Sequence, residues 1–241
     1  MKTSTKIILS FLTFCWVTLM AALLISFRYS DQRGYGFIEK IEKEEILLQE
    51  FKHIVIKNSG VLTITSSDSL KLTYFKLFFD TGEIPEEPEL SYRISNDTLF
   101  IDSLMQRSSG YFELKLRTLN SLILEDVAEV NFNKFHQDSL KVISSQASLV
   151  FEDSMRVTSK ESFSVFRGVK LGFLDYNGTS SDLKANVISN FKIRIEDTQA
   201  ELGGDIESIS GWVGERSILM LPNKVGKVNL EKSNSGHIQL K

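Results

Sequence analysis

The chain has 241 residues, 42% of them hydrophobic and 24% charged, with only three prolines, a composition that fits one or two folded domains and excludes wholesale disorder. A net charge of −3 leaves no basic excess to neutralise phosphates, which excludes a nucleic-acid binder. The single cysteine excludes disulfides within the chain and any Cys-based metal cluster.

Residues 1–6 form a short head whose only charged side chains are Lys2 and Lys6. Ile7–Phe27 (IILSFLTFCWVTLMAALLISF) then runs 21 positions without a charge, close to the roughly 20 residues an α-helix needs to cross a bilayer. The run is longer than the apolar region of a cleaved signal peptide, and Ala21-Ala22 lies inside it instead of after it. Phe14 precedes Cys15 where a lipoprotein signal needs a small residue. An uncleaved transmembrane signal-anchor is therefore expected over residues 7–27. It would hold the chain in the inner (cytoplasmic) membrane as a single pass, with the following domain in the periplasm or outside the cell. Residues 28–50 read as a charged helical stalk. After the turn-prone Asp31–Gly36, Phe37–Glu50 (FIEKIEKEEILLQE) places Phe37, Ile41, Ile46 and Leu47 roughly on one helical face.

From Phe51 the hydrophobic period falls to two. Phe51–Lys57, Val61–Thr65, Leu70–Phe79, Leu90–Asp102 and Tyr111–Leu122 alternate apolar with polar residues and are bounded by Asn, Gly, Ser and Asp. Asp80–Glu89 (DTGEIPEEPE) carries Pro85 and Pro88 and reads as a solvated acidic loop, its carboxylates matching no calcium-loop spacing. Leu119–Lys241 repeats. One series of strand centres passes through Leu122, Val142, Phe163, Val187, Ile209 and Val228, and a second through Val130, Leu149, Val169, Ile193, Ile218 and Ile238. Polar or small corners separate the two, at Asp126–Ala128, Ser144–Ser148, Arg167-Gly168, Ser189-Asn190, Gly211–Arg216 and Ser233–Gly236. Two short strands in each period of about 20 residues is what a β-solenoid requires. The expected fold is all-β: a β-helix or solenoid over residues 51–241, with a β-sandwich or jelly roll as the alternative.

The stretch FKHIVIKNSGVLTITSSDSLKLTY, followed by LSYRISNDTLFID, resembles the opening of the head GIN domain family, also labelled autotransporter adhesin-like and common in Bacteroidetes envelopes. Asn96-Asp97-Thr98-Leu99-Phe100-Ile101 fits that family's N/G-D/G-T-L-x-I step, and Val228–Leu240 (VNLEKSNSGHIQL) its strand, Ser/Gly corner, strand pattern. In Leu140–Phe151 the shape is kept, but Gln146-Ala147 replaces the glycine. The resemblance covers most of residues 51–241 and implies a right-handed, single-stranded β-helix in the cell envelope, with no established enzymatic activity and no catalytic residues to carry over.

The chemistry-bearing residues are sparse. His53, His136 and His237 are isolated from one another, and no nucleophile elbow, P-loop or dinucleotide fingerprint occurs. Neither cofactor nor metal is expected, and the chain is not read as an enzyme. Asp126, Asp153, Asp175 and Asp197 recur 22–27 residues apart. Stacked on adjacent coils they could serve a polysaccharide-cleaving β-helix, yet Asp is also a favoured corner residue. Trp212, Tyr111, Phe166 and Tyr176, with Phe112, are the candidate aromatic binding surface. The reading is a non-catalytic, membrane-anchored envelope module for adhesion, scaffolding or partner and glycan binding. A periplasmic lipid or lipopolysaccharide transfer component is the alternative, needing an open apolar interior. The membrane, through residues 7–27, and an unidentified protein, glycan or lipid are the expected partners. End-to-end self-association through the last strand, Gly236–Lys241, is a further expectation, because an open end presents unpaired backbone.

Overall fold

The computed structural model describes residues 13, 16–20, 38–79, 89–105, 110–151, 155–158, 163–166 and 168–241. The chain divides into two units, Met1–Phe37 and Ile38–Lys241. In the first, Thr13 and residues 16–20 are helical, and Trp16, Val17, Leu19 and Met20 are exposed. Most of the anchor at 7–27 lies outside the described residues, as do the head at 1–6 and the loop at 80–88. No helix among the described residues is long and apolar enough to cross a membrane.

The second unit is all-β. Its first part contains β1 (Ile38–Leu47), β2 (His53–Ser66), β3 (Lys71–Phe79), β4 (Glu89–Ser95), β5 (Thr98–Met105) and β6 (Gly110–Leu116). The middle has the long strands β7 (Ser121–Asn133) and β8 (His136–Phe151), then a separate hairpin, β9 (Met155–Thr158) with β10 (Phe163–Phe166). Long and short strands then alternate: β11 (Lys170–Thr179), β12 (Asp182–Ala185), β13 (Ile188–Glu196), β14 (Gln199–Leu202), β15 (Ile206–Val213), β16 (Ile218–Leu221), β17 (Val225–Lys232) and β18 (His237–Leu240).

All but the hairpin join one open sheet, in the order β1-β3-β6-β2-β7-β8-β11-β13-β15-β17, with β12, β14, β16 and β18 forming a second parallel ladder that starts from β8. From β2 onward every pairing along these ladders is parallel, which is not the antiparallel pairing of a simple β-sandwich. At the other end β1, β3 and β4 pair antiparallel and close off β6 and β5.

The ladders align apolar side chains in columns. Ile54, Leu122, Val142, Tyr176 and Ile193 are successive partners, and all are buried. A second column runs through Leu62, Val130, Leu149, Leu183, Ala200 and Leu219, again buried throughout. Phe132 stacks on Phe151 at 4.1 Å between ring centroids, and Phe135 meets Phe132 edge-on at 5.0 Å. Each such side chain contributes roughly 1.5–3 kcal/mol by leaving water.

Two expectations are corrected. The helix read over Phe37–Glu50 is strand from Ile38, paired antiparallel with β3 from Ile38↔Phe79 to Leu47↔Lys71. Glu and Lys favour a helix locally, but the edge of β3 offers a full set of backbone partners. Lys71–Glu45 and Lys76–Glu44 ion pairs, each at 2.7 Å, and Lys43 over the Phe75 ring suit the charged sequence to that edge. The repeat series is also shifted in the middle. Leu122↔Val142, Val130↔Leu149 and Ile209↔Val228 are true partners. Phe163, however, sits in the inserted hairpin, and Val169 and Val187 fall outside the strands. Ile193 lies on the first ladder, where Gly211 is its partner, and Ile218 is one position out of register with Ile238. The hairpin between β8 and β11 breaks the period there.

Candidate ligand groove at the ladder corner

Six units kink at a residue in the left-handed region, inside the long strands β2, β7 and β8 and between the consecutive strands β11 and β12, β13 and β14, and β15 and β16. Asn58, Asp126, Gln146, Ser180, Asp197 and Arg216 have φ of 46°, 55°, 52°, 50°, 49° and 53°. Asn and Asp enter that region readily, while for other residues it costs roughly 1–2 kcal/mol. The kink interrupts the backbone ladder, and the next residue of the chain repairs it. The Ser181 N–H donates to Thr198 Oγ1 at 3.3 Å, and the Thr198 N–H to Ser217 Oγ at 3.3 Å. Each hydroxyl in turn donates to the carbonyl two residues earlier: Ser181 to Thr179, Thr198 to Glu196 and Ser217 to Glu215. All three side chains are buried, so this hydroxyl ladder replaces hydrogen bonds that water cannot reach.

Over this corner lies a groove of about 940 Å³. Asn58, Asp102, Asp126, Gln146, Ser180 and Asp182 line it, so side-chain amides, carboxylates and a hydroxyl come from five strand units. Among the described residues Asp126 and Asp182 have no ion-pair partner, whereas Asp102 lies 3.5 Å from Arg93 Nε. Below the groove the corner is self-satisfied: Ser180 Oγ donates to Asp197 at 3.2 Å and Arg216 reaches the same oxygen at 3.3 Å. Among the described residues no cluster of three or more His, Cys, Asp or Glu is placed to hold a metal ion.

The four aromatics read as one binding surface do not form one. Tyr176 is fully buried, in the core column beside Val142 and Ile193. Tyr111 is half-buried, stacked on Phe75 at 4.5 Å, and Phe112 is buried against Tyr74. Trp212 is half-buried on β15, in register with Arg194 and Glu231. Phe166 belongs to β10, and its side chain lies outside the described residues. Strand parity explains Tyr176, which shares the inward face of β11 with Leu174 two residues before it. Of the four acids, Asp126 and Asp197 stand in the corner column. Asp175 faces Lys192 at 3.9 Å, and Asp153 is outside the described residues. His53 hydrogen-bonds Ser121 Oγ at 2.7 Å, far along the chain from His136 and His237. Sequence reasoning placed corners at Asp126, Gln146 and Arg216 and weighed Asp197 as a corner acid, but it did not find Ser180 or Asp182. The signal available was a polar residue followed by Ser or Thr just before a short strand: Ser180-Ser181, Asp197-Thr198, Arg216-Ser217.

Tyr176 carries a prediction. Burial pushes its phenol up to about 12, the nearby Ser144 and Ser181 hydroxyls pulling slightly the other way, and its oxygen makes no hydrogen bond among the described residues. The folded-state value lies above the ordinary 10, so the unfolded chain loses this proton first. Stability should therefore fall as pH rises from 10 towards about 12. Tyr176→Phe should be neutral or stabilising by up to about 1 kcal/mol near neutral pH and should flatten that alkaline fall, as read by denaturant titration at several pH values.

Neither a known protein family's sequence profile nor any curated protein matches this chain. Solved structures do. A "putative adhesin" from Bacteroides fragilis NCTC 9343 superposes with a TM-score of 0.52 at 13% identity, covering 86% of this chain and all of its own. A "putative adhesin" from Parabacteroides distasonis ATCC 8503 gives 0.40 at 9% identity over 84% of this chain and 97% of its own. A "putative lipid binding protein" from the same organism gives 0.38 at 10% identity over 84% and 94%. The first likeness shows a shared fold.

Proposed function

We propose that this chain is a non-catalytic, membrane-tethered module of the cell envelope, related to the head GIN domain family, that binds an extended, hydroxyl-rich glycan along the corner groove. The observation that carries the reading is the groove itself. Its carboxylates, amides and hydroxyls recur from one strand unit to the next at the roughly 4.8 Å spacing of a ladder. Carboxylate and amide groups accept from and donate to sugar hydroxyls, and a regular array of them suits a repeating polymer. Asp126 and Asp182 are not engaged by basic side chains among the described residues, so their oxygens remain available to a ligand. The likeness in fold to an adhesin-class structure agrees with this reading.

In the same reading the parallel ladders wind as a right-handed, single-stranded solenoid. Partners lie 17 residues on from β11 to β13, 18 from β13 to β15 and 19 from β15 to β17, and parallel crossovers are right-handed in nearly all folds. The uncharged run at residues 7–27, with Trp16, Val17 and Leu19 exposed on its helical part, supports a bilayer anchor and a domain outside the cytoplasm. The columns of buried Leu, Ile and Val fill the interior, whereas a lipid carrier needs an open apolar cleft.

The test is a glycan array probed with the detergent-solubilised full chain, followed by calorimetry on the hits. Asp126→Asn keeps a residue that tolerates a left-handed φ, and with Asp182→Asn should weaken binding by about tenfold or more while leaving the melting temperature in place. Unchanged affinity in the double variant would remove the groove from the proposal. Stoichiometric co-purifying lipid in place of glycan binding would replace it with the carrier.

A further inference from the structure

The last unit of the ladders is built like the others, yet its apolar residues lie in the open. Val228 continues the buried column Leu140–Leu174–Phe191–Ile209 and is 55% exposed. Ile238 continues the column that ends at the buried Leu219, and Leu240 faces the buried Leu221, yet they are 37% and 69% exposed. Among the described residues β17 pairs only with β15, and β18 only with β16. At the opposite end, by contrast, antiparallel β3 and β4 cover β6 and β5. An edge of this length with apolar side chains along it favours the addition of another strand.

We propose that this face is the contact between two copies of the chain, joined by antiparallel pairing of β17 with β17 about a two-fold axis at Asn229. The charge pattern selects that occupant and that register. In Val225–Lys232 (VGKVNLEK), a two-fold at Asn229 sets Lys227 opposite Glu231 of the second copy, twice over. The same register sets Val228 opposite Leu230, extending the apolar column from one copy into the other. Of the other lysines nearby, Lys241 is engaged by Glu201 and Lys232 donates to the Gly236 carbonyl at 3.2 Å, so the outward charges left on the strand are the complementary pair. A two-fold contact of this kind is closed, which stops at a dimer and leaves the corner groove of each copy untouched.

Sedimentation velocity on the detergent-solubilised full chain tests this, with the two charges reversed singly and together. The parent chain should be dimeric at about 100 µM. Lys227→Glu or Glu231→Lys alone places like charges face to face and should weaken the dimer by about tenfold or more. The double exchange should restore it, because each copy then presents both reversed partners. Asn229→Cys in a Cys15→Ser background should oxidise to a symmetric disulfide-linked dimer. Circular dichroism melts keep a folding defect separate from lost association. A monomeric parent chain would overturn the proposal, as would a dimer indifferent to all three charge variants, which would place the contact in the N-terminal anchor.

Discussion

Replacing Gly211 with alanine should cost about 3–5 kcal/mol of stability, lowering the melting temperature by on the order of 10 °C, the largest effect expected from a methyl added to any glycine among the described residues. Gly211 lies within β15, between Ile193 on β13 and Leu230 on β17. Its φ is +133°, a conformation that side chains rarely adopt, and a Cβ there would stand 1.7 Å from the Ile193 carbonyl oxygen. The obstacle is backbone, so no rotamer change relieves it. Either β15 moves away from β13, losing ladder hydrogen bonds and part of the buried column, or the strain stays in place. Gly60 supplies the control. It lies in β2 with an ordinary φ, and its nearest obstacle is the Leu104 carbonyl oxygen at 3.5 Å, an ordinary contact distance. Gly60→Ala should therefore shift stability by no more than about 0.5–1 kcal/mol, towards stabilisation if anything. Chemical denaturation of the two variants beside the parent decides the matter. Equal midpoints would mean that β13 and β15 do not approach as closely as described.

How much of this was legible beforehand depended on the range of each interaction. Period-two alternation reports burial on one face of a strand. It therefore located the all-β class and the true ladder partners Leu122 and Val142, and Val130 and Leu149. It failed at β1, where Glu and Lys favour a helix locally and the decision belongs to β3, more than twenty residues away. It failed again from Phe163 to Val187, because the inserted β9–β10 hairpin has strand-like sequence and counted as a turn of the repeat. The groove was half legible. Asp126 and Gln146 stood at recognised corners, but Asp102 and Asp182 enter only because β5 and β12 are brought to the same corner by pairing with β2 and β8. Tyr176 was misplaced although its parity with Leu174 was available, because an aromatic among polar neighbours suggests a surface.

Ser181 joins the stability of the corner to the shape of the groove, and Ser181→Ala should expose that link. Its hydroxyl oxygen accepts from the Ala147 N–H at 3.3 Å and from the Ser144 hydroxyl at 3.0 Å, and its proton goes to the Thr179 carbonyl at 2.9 Å. Ser144, Ala147 and Ser181 are all buried, so water is poorly placed to substitute. Alanine leaves the Ala147 N–H and the Ser144 hydroxyl without that acceptor, at roughly 1–3 kcal/mol for each group left unsatisfied. Ser144 can rotate towards another acceptor, which brings the expected total to about 2–4 kcal/mol. Ser181→Thr, which keeps the hydroxyl and is the residue type found one unit on at Thr198, should recover most of the loss. The rescue separates a hydrogen-bond role from simple packing, since Ser181→Val adds the same volume without the proton and should not recover it. The loss should also reach the groove. Ser180 and Asp182, which flank Ser181, both line it, and a corner that has lost its hydroxyl ladder no longer fixes their positions. Glycan affinity measured well below the melting temperature should fall in Ser181→Ala and return in Ser181→Thr, whereas a groove held in place by other contacts would leave affinity unchanged in both.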